Sequence, residues 1–439
     1  MSKRYLGANR LSKLLRLVTT VALLALVATA TMGAASARQS EEKPTLNLSW
    51  VDWELCHAVK ELLDEYDGAT VQMECVPIGE WHDRVFSDFA AGGGADALVL
   101  DSQFIGEAVT GGHLVDLTEW LAGAIDVDAY VPTALSAYGE YPAGSGRYYG
   151  LPWLADAQVL VYRKDLFAQA GFDPPTSWTE LLSQAEAFAA GGAVPYGFTT
   201  FWCGDPECYD MIQSVWNQLA WAWGGDLWNP ETLQIEGVIN SPENVEALRF
   251  AARLFATGPS EGAEYVFEDA VAAICEGRVA MTTLWFALVE GLMDASGCAH
   301  SADLAFAVVP GEREHVLSLG GQGVHVSAYT DKREQVLDFI EWFHSIEIQE
   351  RWAQMGGFSA RADVLNSESF LNAAPYTRAF AETYPLVKDF WNLPEYNRLL
   401  EPQGIYLRRA ITEGMDPQEA LDEIARRQQA ILDEAYPER

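Results

Sequence analysis

The chain has 439 residues, with 28 Lys plus Arg against 63 Asp plus Glu, so its formal net charge is −35. This length predicts two or three domains, and 49% hydrophobic with 21% charged residues is typical of a globular protein with a buried core rather than a disordered one. The acidic excess repels phosphate groups at long range. It therefore argues against a nucleic-acid partner and against adsorption to an anionic membrane surface.

A basic leader opens the chain and an uncharged stretch follows it. Five cations lie between Lys3 and Arg16, residues 17–37 carry no charge, and Ala35-Ser36-Ala37 has the pattern of a cleavage site. These features predict a secretory signal peptide over residues 1–37, in preference to a membrane anchor, because the apolar part is short. No cysteine follows the apolar run as a lipoprotein acceptor. We therefore expect an exported protein, periplasmic or extracellular, that is soluble after cleavage.

Strands and helices alternate along the rest of the chain. Short β-rich runs at residues 46–51, 70–76 and 97–100 are separated by helical stretches, the first at 54–66, and this order predicts a parallel sheet. Further helices are predicted from start signals or from helical spacing of apolar residues, at residues 177–190, 241–256, 331–344 and 417–435. No repeat or low-complexity linker separates the domains, so we expect them to be interleaved.

Six cysteines follow the leader and predict three disulfides, because an exported protein meets an oxidising compartment. Fifteen connectivities are possible, but the cysteines form three local pairs: Cys56 with Cys75, Cys203 with Cys208, and Cys275 with Cys298. The first would join a helix start to the end of the next strand, the second would close a turn, and the third would link the ends of a helical segment. A zinc site is the alternative, but no Cys-x2-Cys pair is present.

Sequence motifs for catalysis are missing, whereas tryptophan is abundant. The sequence has no phosphate-binding glycine loop, no metalloprotease helix and no nucleophile elbow, and its seven histidines are scattered, so we predict no enzyme, no metal site and no cofactor. Many of the 15 tryptophans lie where strands end or turns occur, among them Trp53, Trp153, Trp202, Trp285 and Trp391. For any single tryptophan, packing in the core is as good an explanation as ligand binding. Their recurrence beside carboxylates favours a neutral polar ligand, because an indole face packs on a sugar ring while carboxylates and amides bind hydroxyls.

Several segments resemble, in order, the extracellular solute-binding proteins of ABC sugar importers, the family that includes maltose-binding proteins. Residues 150–167 (GLPWLADAQVLVYRKDLF) and 170–181 (AGFDPPTSWTEL) resemble the family's hinge region. Agreement continues at residues 90–99, 267–281, 309–311, 320–321, 354–361 and 414–422. The resemblance implies an α/β, two-lobed periplasmic-binding-protein fold with a hinge, an interlobe ligand cleft and three chain crossings.

The resemblance also implies the lobes, the mechanism and the ligand residues. Lobe 1 would hold residues 38–155 and 321–362, and lobe 2 residues 156–320 and 363–439. The hinge would close around a mono- or oligosaccharide. The closed protein, a monomer, would then bind permease subunits that work with a separate ATPase subunit. The implied ligand residues are Trp53, Glu54, Asp101, Gln103, Asp156, Trp285, Gly320, Gly321, Trp391 and Tyr406, to which the tryptophan pattern adds Trp153 and Trp202. The two glycines would let the backbone approach the ligand closely.

Two other classes of protein remain open. A polyamine binder of the same fold would use carboxylates such as Asp52, Asp101 and Asp156 for ammonium groups, and its binding would weaken steeply with salt. An exported glycosidase would also be rich in tryptophan and carboxylates, although strand–helix alternation is not its usual architecture. The acidic surface could separately reflect a high-salt habitat, in which case the melting temperature would fall at low salt.

Overall fold

The structure, a computed structural model, describes residues 43–208 and 210–438. The predicted signal peptide and its cleavage site lie outside the described residues. The strands are β1 Thr45–Val51, β2 Thr70–Val76, β3 Ala97–Asp101, β4 Gly150–Arg163, β5 Tyr196–Thr199, β6 Val279–Trp285, β7 Leu304–Val308, β8 Leu317–Val326 and β9 Val387–Lys388. The first helices are α1 Glu54–Leu63, α2 Ile78–Ala90, α3 Ile105–Thr110, α4 Thr118–Ala124, α5 Pro132–Gly139, α6 Lys164–Ala170, α7 Trp178–Gly191, α8 Met211–Ala222 and α9 Pro242–Phe255. The others are α10 Phe267–Cys275, α11 Val289–Leu292, α12 Arg333–Phe343, α13 Ile346–Gln354, α14 Ala362–Leu365, α15 Glu368–Leu371, α16 Thr377–Thr383, α17 Tyr396–Thr412 and α18 Pro417–Ala435.

Two of the helix starts predicted from capping residues are confirmed, whereas the helix predicted from Asp331 begins at Arg333 and has no side-chain capping bond. Ser177 precedes α7 and accepts a hydrogen bond from the backbone N–H of Glu180, and Ser241 does the same for α9. Each side chain satisfies one of the free N–H groups of a first helical turn, which fixes the point where the helix begins. Helix α1 is shorter than predicted, because its end tightens into i to i+3 hydrogen bonds at residues 65 and 66.

The sheet is parallel at one edge and antiparallel in its middle. Strands β2, β1 and β3 run parallel, as predicted from the alternation of strands and helices. Beyond these three strands the sheet becomes antiparallel, because β8 lies antiparallel between β3 and β4. Strand β8 comes from a distant part of the chain, so no βαβ unit constrains its direction.

Strand β4 belongs to two sheet regions. Its residues 150–157 pair with β8, whereas residues 158–163 pair with β6 and β7. Strand β5 then extends the second region by pairing parallel to β6. The chain therefore passes from one region of the sheet to the other within a single long strand.

All three predicted disulfides are present, and none of the cysteines is free within the described residues. Cys56 in α1 joins Cys75 in β2, and their Cα atoms lie 6.1 Å apart. The disulfide between Cys203 and Cys208 closes a short loop, because the two cysteines are only five residues apart. The segment between Cys275 and Cys298 was expected to be helical, but it contains strand β6, because the chain re-enters the sheet directly after α10. Within the described residues, no helix is long and apolar enough to cross a bilayer.

Candidate functional site

A cleft lies beside the point where β4 changes sheet region. Its lining comes from the loops after β1, β3 and β6 and from the middle of β4 and β8. Seven of the predicted ligand residues lie together in this lining: Trp53, Asp101, Gln103, Asp156, Trp285, Gly320 and Gly321. Two indole rings, three carboxyl or amide groups and the backbone of β8 thus face one cavity.

The other five predicted residues do not line this cleft. Trp391 lines a side pocket next to it, and Glu54 lines a separate depression. Trp153 is buried and stacks on Phe343 at 3.9 Å, because β4 turns this side chain into the core. Trp202 and Tyr406 are also buried outside the cleft lining, and Tyr406 lies between two arginine side chains.

A hydrogen-bond network orients the polar groups on the β3 side of the cleft. The indole N–H of Trp50 donates to Gln322 Oε1 at 3.2 Å, and Gln322 Nε2 donates to Asp101 Oδ1 at 2.6 Å. Gln103 Nε2 lies 3.4 Å from the other oxygen of Asp101. Asp101 and Gln322 are directly opposite each other on β3 and β8, so strand register brings the carboxylate and the amide together. Sequence reasoning missed Gln322, which lies outside the first strands.

The two adjacent glycines of β8 have different roles. Gly320 makes room for an aromatic ring, because a Cβ atom there would lie 2.6 Å from Cζ3 of Trp285. Gly321 has a φ of +93°, and a Cβ atom there would lie 2.1 Å from the carbonyl oxygen of Leu154. Both residues line the cleft, but the close approach that requires glycine is to Trp285 and Leu154.

Asp156 is buried at the inner end of the cleft. Its Oδ1 accepts hydrogen bonds from the backbone N–H groups of Ala157 at 2.8 Å and Ala287 at 3.3 Å. Burial outweighs these bonds and raises the pKa of Asp156 to about 8. Among the described residues the Asp156 side chain has no cationic partner, and backbone groups of β4 and of the turn after β6 hold it.

Acidic groups dominate the electrostatics of the cleft. Burial and the neighbouring Asp101 raise the pKa of Asp210 to about 7. Burial likewise raises the pKa of Asp389, which accepts a hydrogen bond from Ser102 Oγ at 2.9 Å, to about 7. The acids of the lining are Asp52, Asp101, Asp156, Asp210 and Glu268, and among the described lining residues there is no Lys, Arg or His. The cleft is thus suited to a neutral or cationic ligand.

A small side pocket shares Asp210 and Phe390 with the cleft. Its floor is helix α8, all of whose residues are buried. The side pocket is also lined by Gln213, Ser214, Asn217, Trp391, Tyr396 and Gln403. The sequence does carry a signal for it: Asp210, Gln213 and Asn217 recur at helical spacing in an otherwise apolar segment.

Two groups of residues have the composition of a metal site, but their chemistry does not fit one. Asp52 and His57 lie near Cys75, and Asp205 and Glu264 lie near Cys203. Both cysteines are in disulfides, so neither supplies a thiolate. Asp205 and Glu264 are instead paired with Arg408.

Comparison with known proteins identifies the family. The sequence profile described as bacterial extracellular solute-binding protein matches residues 57–350, about two thirds of the chain. The chain belongs to this family. A probable ABC transporter-binding protein of Deinococcus radiodurans is 25% identical over 288 residues, which are 64% of this chain and 66% of the relative. A sn-glycerol-3-phosphate-binding periplasmic protein of Brucella suis is 26% identical over 267 residues, 55% of this chain and 56% of the relative. The chain spans about half to two thirds of the length of such curated relatives.

Solved structures of solute-binding proteins share the fold over most of the chain. The maltose-bound MalE3 of T. maritima superposes with a TM-score of 0.76 at 23% identity, covering 88% of this chain and 99% of that one. A solute-binding protein of Agrobacterium radiobacter in complex with ribitol superposes with a TM-score of 0.75 at 25% identity, covering 88% and 98%. The predicted α/β, two-lobed fold with its hinge and interlobe cleft is thereby confirmed.

Proposed function

We propose that the protein captures a carbohydrate or polyol in its cleft and delivers it to an ABC importer. The observation that carries this proposal is that Trp53 and Trp285 line the same cleft as Asp101, Gln103 and Asp156. Indole rings pack on the C–H face of a sugar ring, and the carboxyl and amide groups exchange hydrogen bonds with its hydroxyls. Structural relatives with bound maltose, ribitol, tagatose and mannitol support this ligand class.

Ligand capture would proceed by closure of the two lobes over the cleft. The predicted lobe boundaries at residues 155/156 and 320/321 fall on neighbouring pairs of the β4–β8 ladder, where Ala155 faces Gly321 and Asp156 faces Gly320. Because the two antiparallel strands would pass from one lobe to the other at these adjacent residue pairs, both would bend at the same place and form one hinge. Contacts from both lobes would then stabilise the closed form, because the bound ligand contacts each of them. No covalent step is part of this mechanism.

Membership of the family supports a proposal for the partners and the location. The closed protein would dock, as a monomer, on permease subunits that are coupled to a separate ATPase subunit. Cleavage after residue 37 would release it into the periplasm or the extracellular space. Edman sequencing of the exported protein tests this location, and an N-terminus that still includes residues 1–37 would contradict it.

Thermal unfolding with a ligand panel tests the function. The panel contains neutral mono-, di- and oligosaccharides, polyols and, as the competing class, polyamines. Binding to the native state alone stabilises by about 2.7 kcal/mol at a hundredfold excess over Kd, which produces a clear shift in melting temperature. We expect a shift with one carbohydrate or polyol group. A shift with polyamines alone, or cleavage of glycosidic bonds in the panel, would refute the proposal.

A tryptophan variant connects such a shift to the cleft. Trp285→Ala removes an aromatic face from the lining, and at about 25 cal/mol per Å2 the lost contact of some tens of Å2 weakens binding roughly tenfold. Trp120→Ala is the matched control, because Trp120 is partly exposed on α4 and does not line the cleft. Equal ligand binding by the two variants would show that the ligand binds elsewhere.

A further inference from the structure

The side pocket contains hydrogen-bonding groups that the proposed contacts with a sugar ring do not use. We propose that the ligand is a carbohydrate or polyol bearing a primary amine, and that its ammonium group binds in the side pocket beside Asp210. The inference rests on the proposed function, because it names the class of carbohydrate that the same cleft takes. The side pocket is too small to hold a whole ligand, so it receives a substituent of the molecule in the cleft.

Gln213 provides the first observation beyond the acidic residues. Its side chain is 4% exposed and lines the side pocket. Its Nε2 donates to the carbonyl oxygen of Leu400 at 3.2 Å, which fixes the orientation of the amide. Within the described part of the chain, the remaining atom, Oε1, has no hydrogen-bond partner. A buried acceptor without a partner is costly, so a donor on a ligand would satisfy it.

An ammonium group fits this set of acceptors. It has three donors and no acceptor, and the pocket offers the Asp210 carboxylate, Gln213 Oε1 and the hydroxyl oxygen of Tyr396, which lies next to Asp210. The rings of Trp391 and Phe390 line the same space and add faces that attract a cation. Burial and Asp101 raise the pKa of Asp210, as expected of a carboxyl group with no cation beside it.

No cation of the protein fills this role among the described residues. Neither the cleft nor the side pocket is lined there by Lys, Arg or His. Lys388, which is close in sequence to the pocket residues Phe390 and Trp391, pairs with Asp226 at 2.8 Å. The positive charge that would complement Asp210 therefore comes from outside the protein.

A free amine alone does not satisfy the pocket, which explains why we infer an amino carbohydrate. The indole N–H of Trp391 is a donor, the residue is 2% exposed, and the described residues offer this N–H no partner. An ammonium group cannot accept its hydrogen bond, whereas a hydroxyl oxygen of the same ligand can. A neighbouring amine and hydroxyl on one molecule match both vacant groups.

Isothermal titration with matched ligand pairs tests the inference. The probes are D-glucosamine, D-galactosamine and 1-amino-1-deoxy-D-sorbitol, each paired with its neutral parent, and N-acetyl-D-glucosamine as the uncharged amide. We expect at least one amine to bind at least tenfold more tightly than its neutral parent. Asp210→Asn should reduce this preference to less than about threefold.

Asp83→Asn is the matched control for long-range charge. It removes the same charge from a side chain that is 91% exposed, and should keep the preference for the amine. Neutral parents that bind as tightly as the amines would overturn the inference and leave the proposed function standing. A preference that survives in Asp210→Asn would also overturn it, because the ammonium would then bind elsewhere. The absence of binding heat with all of these probes would overturn the inference, whereas the proposed function would fall only if the wider ligand panel also gave no shift in melting temperature.

Discussion

Replacing the carboxyl group of Asp156 should change how stability depends on pH. An acid whose pKa is raised in the folded protein binds a proton more tightly there than in the unfolded chain. Its contribution to stability is therefore complete below the unfolded pKa of 3.8 and is lost as the pH rises towards the folded value of about 8. In Asp156→Asn this pH-dependent loss of stability should disappear, because an amide does not titrate. The amide oxygen can still accept hydrogen bonds from Ala157 and Ala287.

The expected magnitude follows from the window between these pKa values. Each pH unit inside it changes the free energy of unfolding by about 1.36 kcal/mol, so the stability of Asp156→Asn relative to the natural protein should rise by about 3 kcal/mol between pH 5 and pH 7. Taking this difference removes the effect of His325 and His344. Burial lowers the pKa of His325 to about 4 and of His344 to about 3, and both proteins contain them.

Urea unfolding of the ligand-free proteins at pH 5, 6 and 7 measures the difference. A flat difference between Asp156→Asn and the natural protein would refute the reasoning, since it would mean that Asp156 titrates alike in the folded and unfolded chains.

Three further predictions concern packing, cross-linking and charge. Gly320→Ala should weaken carbohydrate binding about tenfold, because the added Cβ displaces the Trp285 ring; Gly79→Ala, where no atom lies within 4 Å of the added carbon, should bind normally in the same titration. Replacing Cys56 and Cys75 together by Ser should lower the free energy of unfolding by about 3 kcal/mol for a sequence separation of 19, and an unchanged urea midpoint would contradict this. The melting temperature should be lower in 10 mM NaCl than in 500 mM NaCl, because dilute salt screens the repulsion within a net charge of −35 less well. An equal or higher melting temperature in 10 mM NaCl would contradict a surface adapted to salt.

Local elements were predictable wherever short-range chemistry decides them. The Ser177 and Ser241 caps, the first three strands and the disulfide pairs depend on residues that are close in sequence. The position of β8 between β3 and β4 was not predictable from the alternation of strands and helices along the chain. It depends on pairing across more than 150 residues, about which local periodicity carries no information.

The site was predictable only in part for the same reason. Trp53, Asp101 and Asp156 follow or interrupt strands, where ligands of α/β proteins usually bind, and they do line the cleft. Trp153 and Trp202 share that sequence pattern but point into the core, because a single residue's shift along a strand or turn reverses the side of its side chain. Gln213 and Asp210 were missed because their polar spacing becomes meaningful only once α8 is known to be buried.

The pairing of β8 also determines the order in which the protein can fold. Strand β3 obtains its second neighbour only when residues 322–326 are available, and Asp101 meets Gln322 across 221 residues. Until then the facing edges of β3 and β4 have no partner strand, so a chain that ends before β8 cannot complete either sheet region. The native sheet of this protein therefore cannot be completed until most of the chain has been synthesised.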